Sequence, residues 1–180
     1  DLKNSKSVIA VRNIINNISA NTENREYLDK GGLANARYIT KEIVLADGQD
    51  AEDLKVYVGA YRPQGTQVHV YAKVRNGEDE NPFSEKHYSK MDNVLGSNNF
   101  SEINNTDDFV ELEYALPTSN ASALGAFQFS GNNNVTRYYN ANGAYFDTFK
   151  SFSIKIVLSS SAGSNLVPRV KDLRAIALQQ

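Results

Sequence analysis

From Ala36 onward the hydrophobic positions recur at every second residue, and polar turn residues interrupt them at short intervals. Tyr38 to Leu45 is rich in strand formers and stops at Asp47-Gly48, a turn dipeptide. Leu54 to Tyr61 sets Val56, Val58 and Ala60 on one face against Tyr57, Gly59 and Tyr61 on the other. Val68, Val70, Ala72 and Val74 then oppose His69, Tyr71, Lys73 and Arg75. Between these two runs lies Arg62-Pro63-Gln64-Gly65, with Pro second and Gly fourth as a type I turn prefers, so the pattern predicts an antiparallel hairpin. Phe109 to Leu116 alternates again and ends at Pro117. Phe149 to Ser159 is the clearest single strand, with Phe152, Ile154, Ile156 and Leu158 on one face and Ser153, Lys155 and Val157 on the other. After the turn at 159–163, Val167 to Leu178 closes the chain, and these last two strands are expected to form a second hairpin. Ala126 to Phe129 is a short candidate strand, and Arg137 to Phe146 is aromatic-rich but broken by Asn140, Asn142 and Gly143.

Two stretches depart from this period. Val8, Val11, Ile15 and Ile18 follow helical spacing, yet Val and Ile are stiff at χ1 and Asn13, Asn16 and Asn17 compete for the backbone. Either a short helix or an extended arm fits, and Lys30-Gly31-Gly32 marks its end. From Asn76 to Asn105 the chain is polar, with Phe83, Tyr88, Met91, Val94, Leu95, Phe100 and Ile103 as anchors; such a loop is functional or carries small elements of its own. The expected organisation is therefore an arm or linker over residues 1–31 and one domain over 32–180. About eight short strands without crossover helices make that domain an all-β antiparallel sandwich. The order of the elements suggests a jelly roll of the galactose-binding-like kind.

Composition narrows the class without naming a function. The 180 residues include 19 basic and 21 acidic side chains, a net charge of -2, so a general nucleic-acid binder is not expected. The absence of cysteine removes disulfides, thiolate nucleophiles and cysteine metal sites. No apolar run is long enough to cross a bilayer as a helix, so membrane insertion is not expected. Asp1 at the start suggests a piece of something longer. Twenty-one asparagines, a residue that favours turns and tolerates positive φ, fit strands joined by polar loops.

The candidate chemistry is sparse. His69 and His87 have no zinc spacing, and no Gly-x-Ser-x-Gly supports a Ser-His-Asp triad. Asp47, Asp50 and Asp53, with Glu52, crowd one turn, and Glu78, Asp79 and Glu80 crowd another. Oxygen-rich turns of this kind can hold Ca²⁺, which makes Asp47, Asp50 and Asp53 the candidate ligands and calcium the one candidate cofactor; solvated turn residues are the plainer explanation of both clusters. Glu111 and Glu113 fall on the solvent side of one strand, so they do not face each other as glycosidase carboxylates must. Tyr138, Tyr139 and Tyr145 are expected in a loop, as a further aromatic platform of the kind that binds sugars or lines protein interfaces, whereas Tyr57, Tyr61 and Tyr71 are expected to share the outer face of neighbouring strands. With His69 and Tyr88 they form the candidate binding surface for a glycan or a protein partner, a second core layer being the plainer alternative. Lys41, Lys55, Lys73 and Lys155 are placed to supply charge on strand faces or edges, which protects against unwanted pairing.

The run from Gly32 to Lys41, then Val44 through Tyr57, Arg62-Pro63-Gln64-Gly65-Thr66 and Val68 to Val74, resembles a domain of virion structural proteins from contractile-tailed bacteriophages, notably those of marine cyanobacteria. Phe149 to Leu158 and Val167 to Leu178 resemble the C-terminal end of the same proteins. The likeness spans residues 32–178 and is weakest from Asn76 to Ala144. It implies a non-enzymatic tail or baseplate component within a longer polypeptide, located in the virion, assembled in the host cytoplasm, with other virion proteins or copies of itself as partners. It supplies no catalytic residues. A carbohydrate-binding module that recognises host surface glycans is the alternative reading.

Overall fold

Period-two alternation becomes two layers of antiparallel sheet with the valine rows between them. The structure, a computed structural model, describes residues 26–29, 32, 34, 36–96, 98–117, 138–161 and 165–179. The expected segment from Val8 to Ile18 and the short strand at Ala126 to Phe129 lie outside the described residues. In chain order the strands are β1 (Arg37–Ile39), β2 (Ile43–Val44), β3 (Asp53–Tyr61), β4 (Thr66–Arg75), β5 (Ser89–Lys90), β6 (Asp92–Asn93), β7 (Val110–Ala115), β8 (Tyr138–Tyr139), β9 (Tyr145–Phe146), β10 (Ser151–Ser160) and β11 (Arg169–Leu178). One sheet runs β1-β10-β4-β5, with β2 also on β10; the other runs β11-β3-β7-β6, and β8-β9 is a separate hairpin. All the strand pairings are antiparallel, and together the sheets make an all-β sandwich. The only helical element among the described residues is a single 3-10 turn, Phe83–Glu85, in the long loop that also contains β5 and β6.

Registry explains the core. Along β10 and β4, Phe152 pairs with Val74, Ile154 with Ala72, Ile156 with Val70 and Leu158 with Val68, so one face of both strands is apolar. In the facing sheet Val58 sits between Leu112 and Leu173, and Val56 between Tyr114 and Ala175. These side chains, with Leu54, Met91, Tyr138 and Phe149, form one buried cluster between the layers. Tyr114 brings a hydroxyl into it and donates to the Val68 carbonyl at 2.7 Å, which satisfies a polar group that burial would otherwise penalise.

Neither expected hairpin exists. β3 and β4 lie in different sheets, and so do β10 and β11. The first crossing is imposed by what stands between the strands. Pro63 has no N–H to offer a ladder, and both backbone groups of Arg62 are already bound to Ser101: its N–H donates to Ser101 Oγ at 2.8 Å and its carbonyl accepts from Ser101 N at 2.9 Å. The tight turn comes one residue later than expected, closed by Thr66 N to Pro63 O at 3.0 Å, with Gly65 third at φ +89° as a type II turn requires. The second crossing follows from saturation. All ten residues of β10 pair with β4, while β1 and β2 occupy its other edge, so β11 joins β3 instead. Crossing also brings the two valine rows face to face.

Candidate functional site

The sheet assignment separates the residues expected to share a surface. Tyr57 and Tyr61 lie on the outer face of the β11-β3-β7-β6 sheet, whereas Tyr71 and His69 lie on the outer face of the opposite sheet, where Tyr88 joins them. Their common platform was an inference from a β3–β4 hairpin, and it does not form. Each ring is also already engaged. The Tyr57 hydroxyl donates to Glu113 Oε1 at 3.4 Å and the Arg174 guanidinium lies 5.3 Å from its ring centre. Tyr61 donates to the Ile103 carbonyl at 3.0 Å under Arg169. Tyr71 and Tyr88 are buried, and burial pushes both phenols up to about 12. His69 is pushed down to about 4 by burial and by the nearby charges of Lys90 and Arg62, with Ser159 Oγ at 3.3 Å from Nε2.

What covers Tyr71 and Tyr88 is the chain's own segment 26–29. Lys155, on the outer side of β10 and fully buried, donates to the main-chain carbonyls of Glu26 and Leu28 at 2.7 and 3.0 Å and pairs with the Glu26 carboxylate at 2.9 Å. Lys73 pairs with Asp29 at 2.7 Å, and Tyr88 N donates to the Tyr27 carbonyl at 2.8 Å. The Glu26 carboxylate also accepts from Ala34 N at 2.9 Å and fills the space where a Cβ on Gly32, at φ +99°, would stand. Lys73 and Lys155 are thus buried ion-pair members rather than surface charges. The segment packs against the outer face of the β10–β4 sheet. Burial lowers the Lys155 ammonium below the usual lysine range, against the opposing pull of Glu26.

The acidic turns differ from one another. Asp47 and Asp50 stand 3.5 and 3.8 Å from the Lys150 ammonium, which also donates to the Ala46 carbonyl, while Asp53 accepts from Leu54 N. Among the described residues no group of three or more His, Asp or Glu side chains is arranged to hold a metal ion. In the second turn Glu78 and Glu80 are exposed, but Asp79 is buried and pairs with buried Lys86. It also accepts from the Tyr138 hydroxyl at 2.9 Å, Asn140 Nδ2 at 3.2 Å and Asn81 N at 3.0 Å. Burial opposes its charge, yet these hydrogen bonds prevail and hold its carboxyl below the usual range. The solvated reading therefore fails at Asp79. A run of three acids in a turn carries no sequence signal that the middle one points inward.

The open surface is elsewhere. β1 and β11, the outermost strands of the two sheets, flank a cleft of about 520 Å³ whose walls include Tyr38, Ile156, Leu158, Val170 and Leu173. Tyr38 is 59% exposed, Val44 65% and Ile176 44%, and Ile43 and Val170 are exposed beside them. The edges carry some protection. The edge facing β10 slips by one residue between Ile39 and Ile43, where Thr40 Oγ1 accepts from Ile154 N in place of a main-chain group. β11 has an irregularity between Val170 and Asp172 and displays Arg169, Lys171 and Arg174. Its last stretch, Ala175 to Leu178, has neither charge nor irregularity. No family model, no curated protein and no solved structure matches the chain.

Proposed function

We propose that this domain is a non-enzymatic assembly module of a phage virion, a tail or baseplate component that contacts other virion proteins or copies of itself. The observation that carries the reading is the flank that the described residues leave open, where two strand edges without a neighbour among them run beside a largely apolar cleft and display Tyr38, Val44 and Ile176. Free edges with exposed apolar side chains are the feature single soluble domains avoid and interfaces use. The likeness of residues 32–178 to virion structural proteins supplies the setting, and connections that alternate between the sheets support a jelly-roll layout. Ile176→Lys tests it. Ile176 is an outward position on the edge strand, so the variant is expected to keep the wild-type unfolding midpoint while losing self-association or incorporation into particles. Undiminished assembly of that variant together with Tyr38→Glu overturns the reading.

A further inference from the structure

The tyrosines expected on the strand faces are engaged within the sandwich, but Tyr139 and Tyr145, expected in a loop, are open. Tyr138 to Phe146 reads Tyr-Tyr-Asn-Ala-Asn-Gly-Ala-Tyr-Phe, without a single Asp, Glu, Lys or Arg. It folds as the β8–β9 hairpin, with Tyr138 opposite Phe146 and Tyr139 opposite Tyr145. The turn is fixed by Asn140, whose side-chain oxygen accepts from Asn142 N at 3.0 Å and Ala144 N at 2.8 Å, and by Gly143 at φ +81°. Its inner side is pinned to the body. Tyr138 is fully buried, stacks on Phe146 at 5.3 Å, donates to Asp79 and accepts from Asn76 N at 2.6 Å. Asn140 also reaches Asp79, and Ala141 N donates to Asn81 Oδ1 at 3.1 Å.

On its outer side stand Tyr139 and Tyr145, 40% and 44% exposed, their ring centres 5.3 Å apart and their planes tilted by 56°. A hairpin held this firmly presents the two rings at little entropic cost, because a tyrosine has few rotors to freeze. The hairpin residues themselves carry no charge and Asn142 is exposed at the turn, while the exposed acid Asp147 follows just beyond Phe146. A charged ligand would find no counter-ion in the hairpin. A protein partner of ordinary size needs roughly 800 Å² from each side, more than one hairpin tip offers. Apolar ring faces beside neutral hydrogen-bonding amides suit a neutral sugar, whose C–H faces stack while its hydroxyls bond the amide and phenols.

We infer that Tyr139 and Tyr145 form a stacking site for a neutral saccharide, a function separate from the assembly flank and independent of it. The test titrates the full chain with neutral gluco-, galacto- and manno-oligosaccharides of one to six units, read by saturation-transfer NMR. At least one is expected to bind, with affinity falling about tenfold in Tyr139→Ala or Tyr145→Ala and holding in the corresponding Phe variants, which keep the rings. Raising the salt concentration should leave the affinity unchanged. Unchanged urea midpoints confirm folding; should an alanine variant unfold more easily, Tyr139→Leu, which keeps bulk without the ring, must show the same loss. Silence across all the sugars, or binding that survives Tyr139→Ala, overturns the site. So does loss of self-association rather than sugar binding in the alanine variants, which would make the pair a protein contact.

Discussion

Asp79 and His69 are single residues whose burial makes stability fall as pH falls, each in its own window. Asp79 is charged, paired with Lys86 and bonded by Tyr138 and Asn140, so it ties the long loop to the β8–β9 hairpin. Asp79→Asn removes the carboxylate from a buried ion pair and is expected to cost about 3–5 kcal/mol in urea unfolding. Because the folded carboxyl sits below its unfolded value, its contribution is complete above roughly pH 3.9 and disappears as pH falls through the folded value. His69 acts in the same direction at higher pH. Its folded value of about 4 lies below its ordinary 6.5, so the unfolded chain takes up the proton first. Stability should therefore be full above pH 6.5 and decline towards pH 4, by on the order of 2 kcal/mol after allowing for partial exposure. His69→Gln should flatten that decline in denaturant midpoints measured across the range; an unchanged slope would remove His69 as its cause. Alternation told which side of its strand His69 occupies, but nothing in the sequence told what would cover that side.

Among the elements, the strands were legible and their neighbours were not. Leu54 to Tyr61 and Val68 to Val74 appear almost as their periodicity predicts, as β3 and β4, yet a valine row specifies only an apolar face. Two such rows pack equally well side by side or face to face. The choice was made by Pro63 and by the capture of Arg62 by Ser101, a long-range contact without a local signature. The segment 26–29 was illegible for a related reason: Glu26 and Asp29 look like solvated charges until β10 and β4 place Lys155 and Lys73 beneath them. Their environments separate their energetic weight. Glu26 is buried with its partner, so Glu26→Gln should destabilise by about 3–5 kcal/mol. The Asp29 carboxylate is 45% exposed, and Asp29→Asn should cost only about 1 kcal/mol. Equal losses in urea unfolding would mean that the segment is held by its backbone contacts instead. Lys155, depressed by burial, also predicts that Glu26→Gln recovers stability as pH rises towards 10.5, where the ammonium sheds its proton in the folded state first.

At the scale of the whole molecule the sandwich is lopsided. On one side its outer strands, β5 and β6, are two residues long and offer almost no ladder. On the other side β11 runs for ten residues beside β1 and β2, and its last stretch has no charge to discourage a neighbour. The sequence indicated β11 as a strand but not as an edge, because edge position depends on β10 having no free side left. That asymmetry makes the assembly reading directional. Amide hydrogen exchange on the free chain should show β10 and β3 slowest, since both are paired along much of their length on either side, while outward amides of β11 exchange fast. In the assembled particle the new protection should fall on β1, β2 and β11 and leave β5, β6 and the β8–β9 hairpin unchanged. Protection gained at β5 and β6 instead would put the interface on the blunt side, and the exposed Tyr38, Val44 and Ile176 would then need another explanation. Protection gained on both sides would describe a domain buried within a filament of neighbours rather than one docked by a single flank.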